Sequence, residues 1–221
     1  MPYSSFTVSQ IKEEFGIVIL EGKRFLPIDL PTVPVSVRLL GILEDLPWAI
    51  AVGTEKARSE AIINPILLEV RRMLHQEISV FSGEEFNVDA DLGLNGVCDF
   101  MISQSSEQLV LEAPAVVVVE AKKADLKLGL GQCMAEMIAA QRFNQRKGRS
   151  PGVVFGVITS GTQWRFMQLE GHHIMLDLQD YSLQPIDELI AMLIWMATTG
   201  KDEFRKADLI TSTNSPAIEI I

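Results

Sequence analysis

The sequence is most informative at Val116-Val117-Val118-Val119-Glu120-Ala121-Lys122, where four consecutive valines precede an acid, an alanine and a base. Valine favours extended backbone, and a strand that is apolar on both faces must be covered by other elements on both sides. The segment therefore predicts the central strand of a sheet with helices on both faces. At its end, two charged side chains stand at the edge of a hydrophobic layer.

Glu120 and Lys122 are predicted to share one face of this strand, because residues i and i+2 point to the same side roughly 6.5 Å apart. A second acid, Asp99, lies in the strand-like segment Gly96-Val97-Cys98-Asp99-Phe100. If the two strands pair, both carboxylates can bind one Mg²⁺, which prefers oxygen ligands and takes one or two carboxylates. Lys122 can then orient or deprotonate an attacking water and offset charge on a phosphate. The alternative is a strand that simply ends in solvent.

Helices and strands are predicted to alternate along the chain. Helical patterns cover Val8 to Phe15, Val35 to Leu46, Thr54 to His75 with a kink or restart at Pro65, Leu128 to Phe143, and Pro185 to Thr198. Strand patterns cover Ile78 to Phe81, Glu85 to Val88, Gly96 to Ser103, Gln108 to Ala121 with a break near Pro114, Val153 to Thr159, Gln163 to Leu169, and His172 to Leu178. This order predicts an α/β protein with a central mixed sheet. We divide the chain into an N-terminal helical arm packed on the core (1–53), a core domain (54–200) and a C-terminal tail (201–221).

Three segments together resemble the PD-(D/E)XK nuclease superfamily. They are Gly96-Val97-Cys98-Asp99-Phe100, Val118-Val119-Glu120-Ala121-Lys122 and Gly129-Leu130-Gly131-Gln132-Cys133. An E-x-K pattern alone is weak, whereas D, E-x-K and a glycine-flanked Gln in this order on strand, strand and helix are more specific. Residues 54–178 are similar to the N-terminal nuclease domains of type I restriction subunits, and the whole chain resembles a bacterial, cyanobacterial-like family of proteins of this type. Cys98 stands where the motif has its proline.

The resemblance implies a restriction-endonuclease-like α/β/α sandwich over residues 54–200 and a Mg²⁺-dependent nuclease, with Mn²⁺ as a substitute metal and DNA preferred to RNA. In the family the motif Asp and Glu ligate the metal, which assigns Asp99 and Glu120. The motif Lys assists the nucleophile and a Gln of the next helix contributes to the site, which assigns Lys122 and Gln132. A glutamate from a preceding helix completes the set. Glu60 is the candidate, and an exposed surface glutamate is the alternative.

The formal net charge of −10 opposes a nucleic-acid-binding function, which usually draws on a positive surface. A nuclease-like scaffold that no longer cuts, and binds a protein partner or nucleic acid, is therefore the main alternative function. A protein-interaction domain of another fold requires the strand predictions to fail. Two basic runs offer phosphate contacts, or else are a solvated helix end and loop: Lys122, Lys123 and Lys127, and Arg142, Arg146, Lys147 and Arg149.

Two cysteines, Cys98 and Cys133, are too few for a disulfide framework and lack partners at metal-site spacing, which predicts buried, reduced thiols in a cytoplasmic protein. We expect no membrane association, because the sequence has neither a signal-peptide pattern nor an apolar stretch of bilayer length. The apolar helix Leu189 to Ala197, together with the N-terminal arm, is the candidate surface for a homodimer.

Overall fold

Eight strands form one mixed sheet in the computed structural model, which describes residues 2–149 and 151–199. The strands are β1 Val18–Glu21, β2 Ser79–Glu85, β3 Val97–Ser103, β4 Ala115–Ala121, β5 Val153–Thr159, β6 Gln163–Glu170, β7 His173–Leu176 and β8 Tyr181–Ser182. Their order is β1-β7-β6-β5-β4-β3-β2, with β8 paired to β6. The pairs β4–β5 and β1–β7 are parallel, and the other pairs are antiparallel. The predicted α/β architecture with a mixed sheet is therefore confirmed.

The helices of the described residues are α1 Val8–Phe15, α2 Val37–Ile42, α3 Leu46–Val52, α4 Glu55–Arg58, α5 Asn64–Met73, α6 Leu130–Arg146 and α7 Ile186–Thr198. Thr54 caps α4 as predicted, since its hydroxyl accepts the Ala57 N–H at 3.1 Å. A π-helical turn, Ser59–Ile63, joins α4 to α5, and Pro65 lies in the first turn of α5. The backbone stays helical through Arg58, Ile63 and Asn64, so the helix does not restart at Pro65; a kink there stays a prediction.

The valine strand β4 lies in the middle of the core, and all of its residues are buried. Val117 and Val119 belong to a hydrophobic cluster that includes residues of α5 and α7. Val118 belongs to a second cluster that includes residues of α1 and α6. Burial of each valine side chain contributes about 1.5 kcal/mol or more. Packing on both sides therefore fixes the carboxyl end of β4 relative to the start of α6.

The N-terminal residues add a strand to the predicted arm. β1 pairs in parallel with β7, and the Tyr3 hydroxyl donates to the Phe86 carbonyl oxygen at 2.6 Å. A Cβ atom at Gly131 would overlap the Phe6 carbonyl oxygen, so this glycine lets the N-terminal chain lie directly against α6. The strand is absent from the sequence prediction because a short apolar run does not by itself indicate its element type.

Several predicted boundaries are wrong. The strand predicted at Ile78 to Phe81 extends to Glu85 as β2, and the second strand predicted at Glu85 to Val88 is not formed, because residues 86–88 are irregular. The strand predicted from Gln108 begins only at Ala115; residues 104–114 are irregular, and Pro114 has no N–H for a strand ladder. The helix predicted from Val35 to Leu46 is divided into α2, a 3₁₀ turn and α3.

The apolar helix α7 packs against its own chain. Residues including Leu189, Leu193 and Ala197 are buried in the cluster shared with α5. The apolar side chains of this helix therefore lie in the core of their own chain, and the homodimer stays a prediction. The predicted tail, 201–221, is outside the described residues. None of the helices in residues 2–149 and 151–199 has the length and apolar character required to cross a bilayer.

Candidate functional site

The carboxyl end of β4 carries Glu120, which is only 1% exposed. The Lys122 ammonium pairs with its Oε1 atom. The Gln132 Nε2 atom, from the first turn of α6, donates to its Oε2 atom at 2.7 Å. Both oxygens of Glu120 thus have side-chain partners, and the structure brings Glu120, Lys122 and Gln132 together in one cluster.

Asp99 reaches the same place from β3, which pairs antiparallel with β4 through Phe100 opposite Val119. The Ala121 N–H donates to the Asp99 Oδ2 atom at 2.8 Å, so the backbone of β4 orients this carboxylate. Burial raises the pKa of Asp99 above its ordinary value, although this hydrogen bond opposes the shift. The residue is therefore a partly buried acid held at the end of the central strand.

The electrostatics of the cluster follow from burial and from crowding of like charges. Burial, followed by the negative charge of Asp99, raises the pKa of Glu120 to about 7. Burial alone would lower the pKa of Lys122, but the hydrogen bond and charge of Glu120 outweigh it and the pKa is raised. Lys122 is thus an ammonium at neutral pH. One lysine thus faces two acids in this cluster.

Glu60 is not joined to this cluster by a hydrogen bond or ion pair in the described residues. Its side chain is 63% exposed and pairs with Lys56 at 3.0 Å, although it lines the same cleft of about 350 Å³ as Asp99. Glu55 lies one turn earlier, and its Oε1 atom accepts the Lys123 N–H at 3.2 Å. The negative charge of Glu55 adds to burial in raising the pKa of Asp99. Sequence reasoning passed over Glu55, whose signal was its position directly after the Thr54 cap.

Glu136 is a second acid that sequence reasoning missed. It is completely buried on α6, and its Oε1 atom accepts a hydrogen bond from Gln132 at 3.1 Å. Burial, followed by the negative charge of Glu120, raises the pKa of Glu136 well above its ordinary value. Its only signal in the sequence is the spacing of four residues from Gln132, which places both on one face of a helix.

Two arginines of the second basic run are engaged away from this cluster. Arg142 and Arg146 both contact the Asp89 Oδ2 atom, at 3.3 Å and 3.0 Å. With a rise of 1.5 Å per residue, Arg142 lies about 15 Å along α6 from Gln132. These arginines therefore stabilise the loop that carries Asp89, and they do not line the cluster around Glu120.

The donor set fits a hard divalent cation, because Asp99 and Glu120 supply the one or two carboxylates that Mg²⁺ usually takes. Within the described residues, no group of three or more His, Cys, Asp or Glu side chains is arranged to hold a metal ion.

Cys98 and Cys133 are buried free thiols, as predicted. No protein-family model matches the chain, and the comparison with curated proteins gives no match either.

Proposed function

We propose that the chain is a cytoplasmic, Mg²⁺-dependent nuclease-like domain of the PD-(D/E)XK type, which hydrolyses phosphodiester bonds with DNA preferred to RNA. The observation that carries the proposal is the convergence of Asp99, Glu120 and Lys122 at the end of one buried strand, with Gln132 bound to Glu120. Two carboxylates and one ammonium beside a cleft are the groups that phosphodiester hydrolysis with a hard cation requires.

The architecture supports a restriction-endonuclease-like α/β/α sandwich. One hydrophobic cluster joins the sheet to α5 and α7, and the other joins it to α1 and α6. The acids of the motif lie on adjacent strands and Gln132 on the following helix, which is the order that the resemblance implies. In this interpretation residues 1–53 are an arm that packs on the sandwich and extends its sheet. The buried free thiols of Cys98 and Cys133 fit a reducing compartment.

In the proposed reaction, two acids bind the metal and Lys122 acts on the phosphate. Asp99 and Glu120 would hold Mg²⁺, or Mn²⁺ in its place. When bound, such an ion polarises a phosphoryl oxygen and lowers the pKa of a coordinated water. The Ala121 N–H and the Gln132 amide orient the two carboxylates. Lys122, as an ammonium at neutral pH, offsets the negative charge that develops on the phosphate when water attacks in line with the leaving oxygen.

Cleavage assays with the purified chain test the proposal. Plasmid DNA, single-stranded DNA and RNA are incubated with Mg²⁺, Mn²⁺ or EDTA, and we expect nicking of DNA that requires the metal. Lys122→Ala should lower the rate about 100-fold. Lys123→Ala is the matched control, since it removes the same charge from the adjacent, exposed position. Absence of both metal binding and cleavage would refute the proposal, as would cleavage that survives Glu120→Ala.

A scaffold that binds but does not cut is the second candidate. The net charge of −10 favours it, as does the engagement of Arg142 and Arg146 by Asp89. A metal that binds only the folded state stabilises it, and the stabilisation grows with the logarithm of the free metal concentration relative to the Kd. We therefore expect Mg²⁺ to raise the melting temperature of the native chain but not of Asp99→Ala. Equal melting temperatures with and without Mg²⁺ would favour the scaffold.

A further inference from the structure

The Gln132 amide lies between two carboxyl groups. Its Nε2 atom donates to the Glu120 Oε2 atom at 2.7 Å and to the Glu136 Oε1 atom at 3.1 Å. A primary amide nitrogen carries two N–H donors, so both are used in these contacts. Glu136 lies one helical turn beyond Gln132 on α6 and is completely buried. It is not part of the D, E-x-K and Gln motif from which the site was predicted.

The other oxygen of Glu136 indicates the protonation state of this side chain. Its Oε2 atom is buried and has no hydrogen-bond partner within the described part of the chain. An ionised carboxylate would leave a charged oxygen there without a donor, which is strongly unfavourable in an apolar core. A neutral carboxyl avoids this, since its carbonyl oxygen accepts from Gln132 and its hydroxyl carries the proton. The raised pKa of Glu136, caused first by burial, agrees with this geometry.

We propose that Glu136 is a positioning residue, whose neutral carboxyl fixes the Gln132 amide so that its nitrogen faces Glu120. Without a second acceptor, one N–H of the amide has no partner and the amide can rotate about its terminal bond, which weakens its hydrogen bond to Glu120. With the acceptor, both N–H bonds are committed and Glu120 is held in one orientation. The consequence for metal binding rests on the proposed function, but the orientation of the amide does not.

Hydrogen exchange of the Gln132 side-chain amide, followed by NMR of the ¹⁵N-labelled chain, tests the orientation directly. Glu136→Met keeps the volume but removes the acceptor, and we expect the amide protons to exchange about tenfold faster, the effect of one lost hydrogen bond. Glu136→Gln keeps a carbonyl acceptor and should retain the slow exchange. Met137→Leu, at a buried neighbouring position, is the control for general loosening of α6.

A double-mutant cycle on Mg²⁺ affinity tests whether Glu136 acts through Gln132. Glu136→Met should weaken Mg²⁺ binding about tenfold in the native background, as outer-shell substitutions do. In the Gln132→Ala background the same substitution should have no further effect. Equal Mg²⁺ effects of Glu136→Met in the two backgrounds would overturn the inference.

The two proposals fail in distinguishable ways. Unchanged exchange of the Gln132 amide in Glu136→Met would refute the positioning role, whatever the metal affinity. A native chain that binds no Mg²⁺ would refute the proposed function, while the exchange measurement would still settle the role of Glu136. If Glu136→Met does not fold, Glu136→Asp replaces it, because the shorter side chain withdraws the acceptor yet keeps the carboxyl. The same faster exchange is then expected, and slow exchange refutes the role.

Discussion

Glu120→Gln should make the metal-free protein more stable at alkaline pH while abolishing its response to Mg²⁺. The carboxyl of Glu120 is buried beside Asp99, and burial, followed by the charge of Asp99, raises its pKa from 4.5 to about 7. An acid whose pKa is raised on folding stabilises the folded state below its ordinary pKa. That stability is lost as the pH rises through the raised value. The relevant window therefore runs from about pH 4.5 to about pH 7.

The size of the effect follows from the two pKa values of Glu120. At about 1.4 kcal/mol for each pH unit between 4.5 and about 7, the ionised side chain costs the folded state about 3 to 4 kcal/mol at pH 8. The Gln132 N–H can still donate to an amide oxygen at position 120, but Lys122 loses its ion pair. We therefore expect a gain of about 1 to 3 kcal/mol. For a chain of this length the gain corresponds to a rise in Tm of roughly 3 to 10 °C.

Urea denaturation in EDTA at pH 5 and pH 8 measures this difference. We expect the native chain and Glu120→Gln to unfold at similar urea concentrations at pH 5, and the variant to be more stable at pH 8. Glu13→Gln, at an exposed position of α1, should show no such dependence on pH. Mg²⁺ should raise the stability of the native chain only. A difference that stays constant or shrinks between pH 5 and pH 8 would show that the Glu120 carboxyl is not a buried, crowded acid.

Three further substitutions have defined outcomes. Gly131→Ala should destabilise the chain by about 1 to 3 kcal/mol in thermal unfolding, because the new methyl overlaps the Phe6 carbonyl; unchanged stability would contradict this packing. Glu69→Ala should lower the free energy of unfolding, measured by urea denaturation, by about 3 kcal/mol, because buried Glu69 accepts both the N–H and the hydroxyl of Ser36 at 2.9 Å. A loss below about 1 kcal/mol would argue against these hydrogen bonds. Asp99→Asn should weaken Mg²⁺ binding at least tenfold in calorimetry without lowering metal-free stability, and undiminished affinity would exclude this residue as a ligand.

Local pattern was sufficient to predict the central strand and the main components of the candidate site. Four valines in succession leave no polar face, so β4 had to be buried on both sides. The spacing of two residues placed Glu120 and Lys122 on one face, where the structure pairs them. An irregularity of the helix near Pro65 was equally predictable, because proline has no N–H to donate within a helix; the structure has a π-helical turn directly before it.

Contacts between segments that are distant in the sequence could not be predicted from such local patterns. Periodicity relates residues a few positions apart, whereas the pairing of β1 with β7 depends on which sheet edge the folded chain leaves open. The same limit applies to the choice between Glu55 and Glu60. Helical spacing allows either side chain to face the site, but only the tertiary structure shows that Glu55 accepts the Lys123 N–H whereas Glu60 pairs with Lys56.

Glu136 shows most clearly the difference between what the sequence predicts and what only the tertiary structure reveals. Its distance of four residues from Gln132 is visible in the sequence, but that spacing occurs on every helix and implies no function. Its complete burial and its contact with the amide that binds Glu120 arise from the packing of α6 against the sheet, as does the lack of a partner for its Oε2 atom among residues 2–149 and 151–199. The motif thus predicted, from local chemistry, the two acids and the lysine that meet near the end of β4. The environment that alters their pKa values and orients them required long-range packing, because burial and charge crowding depend on segments that meet only in the folded chain.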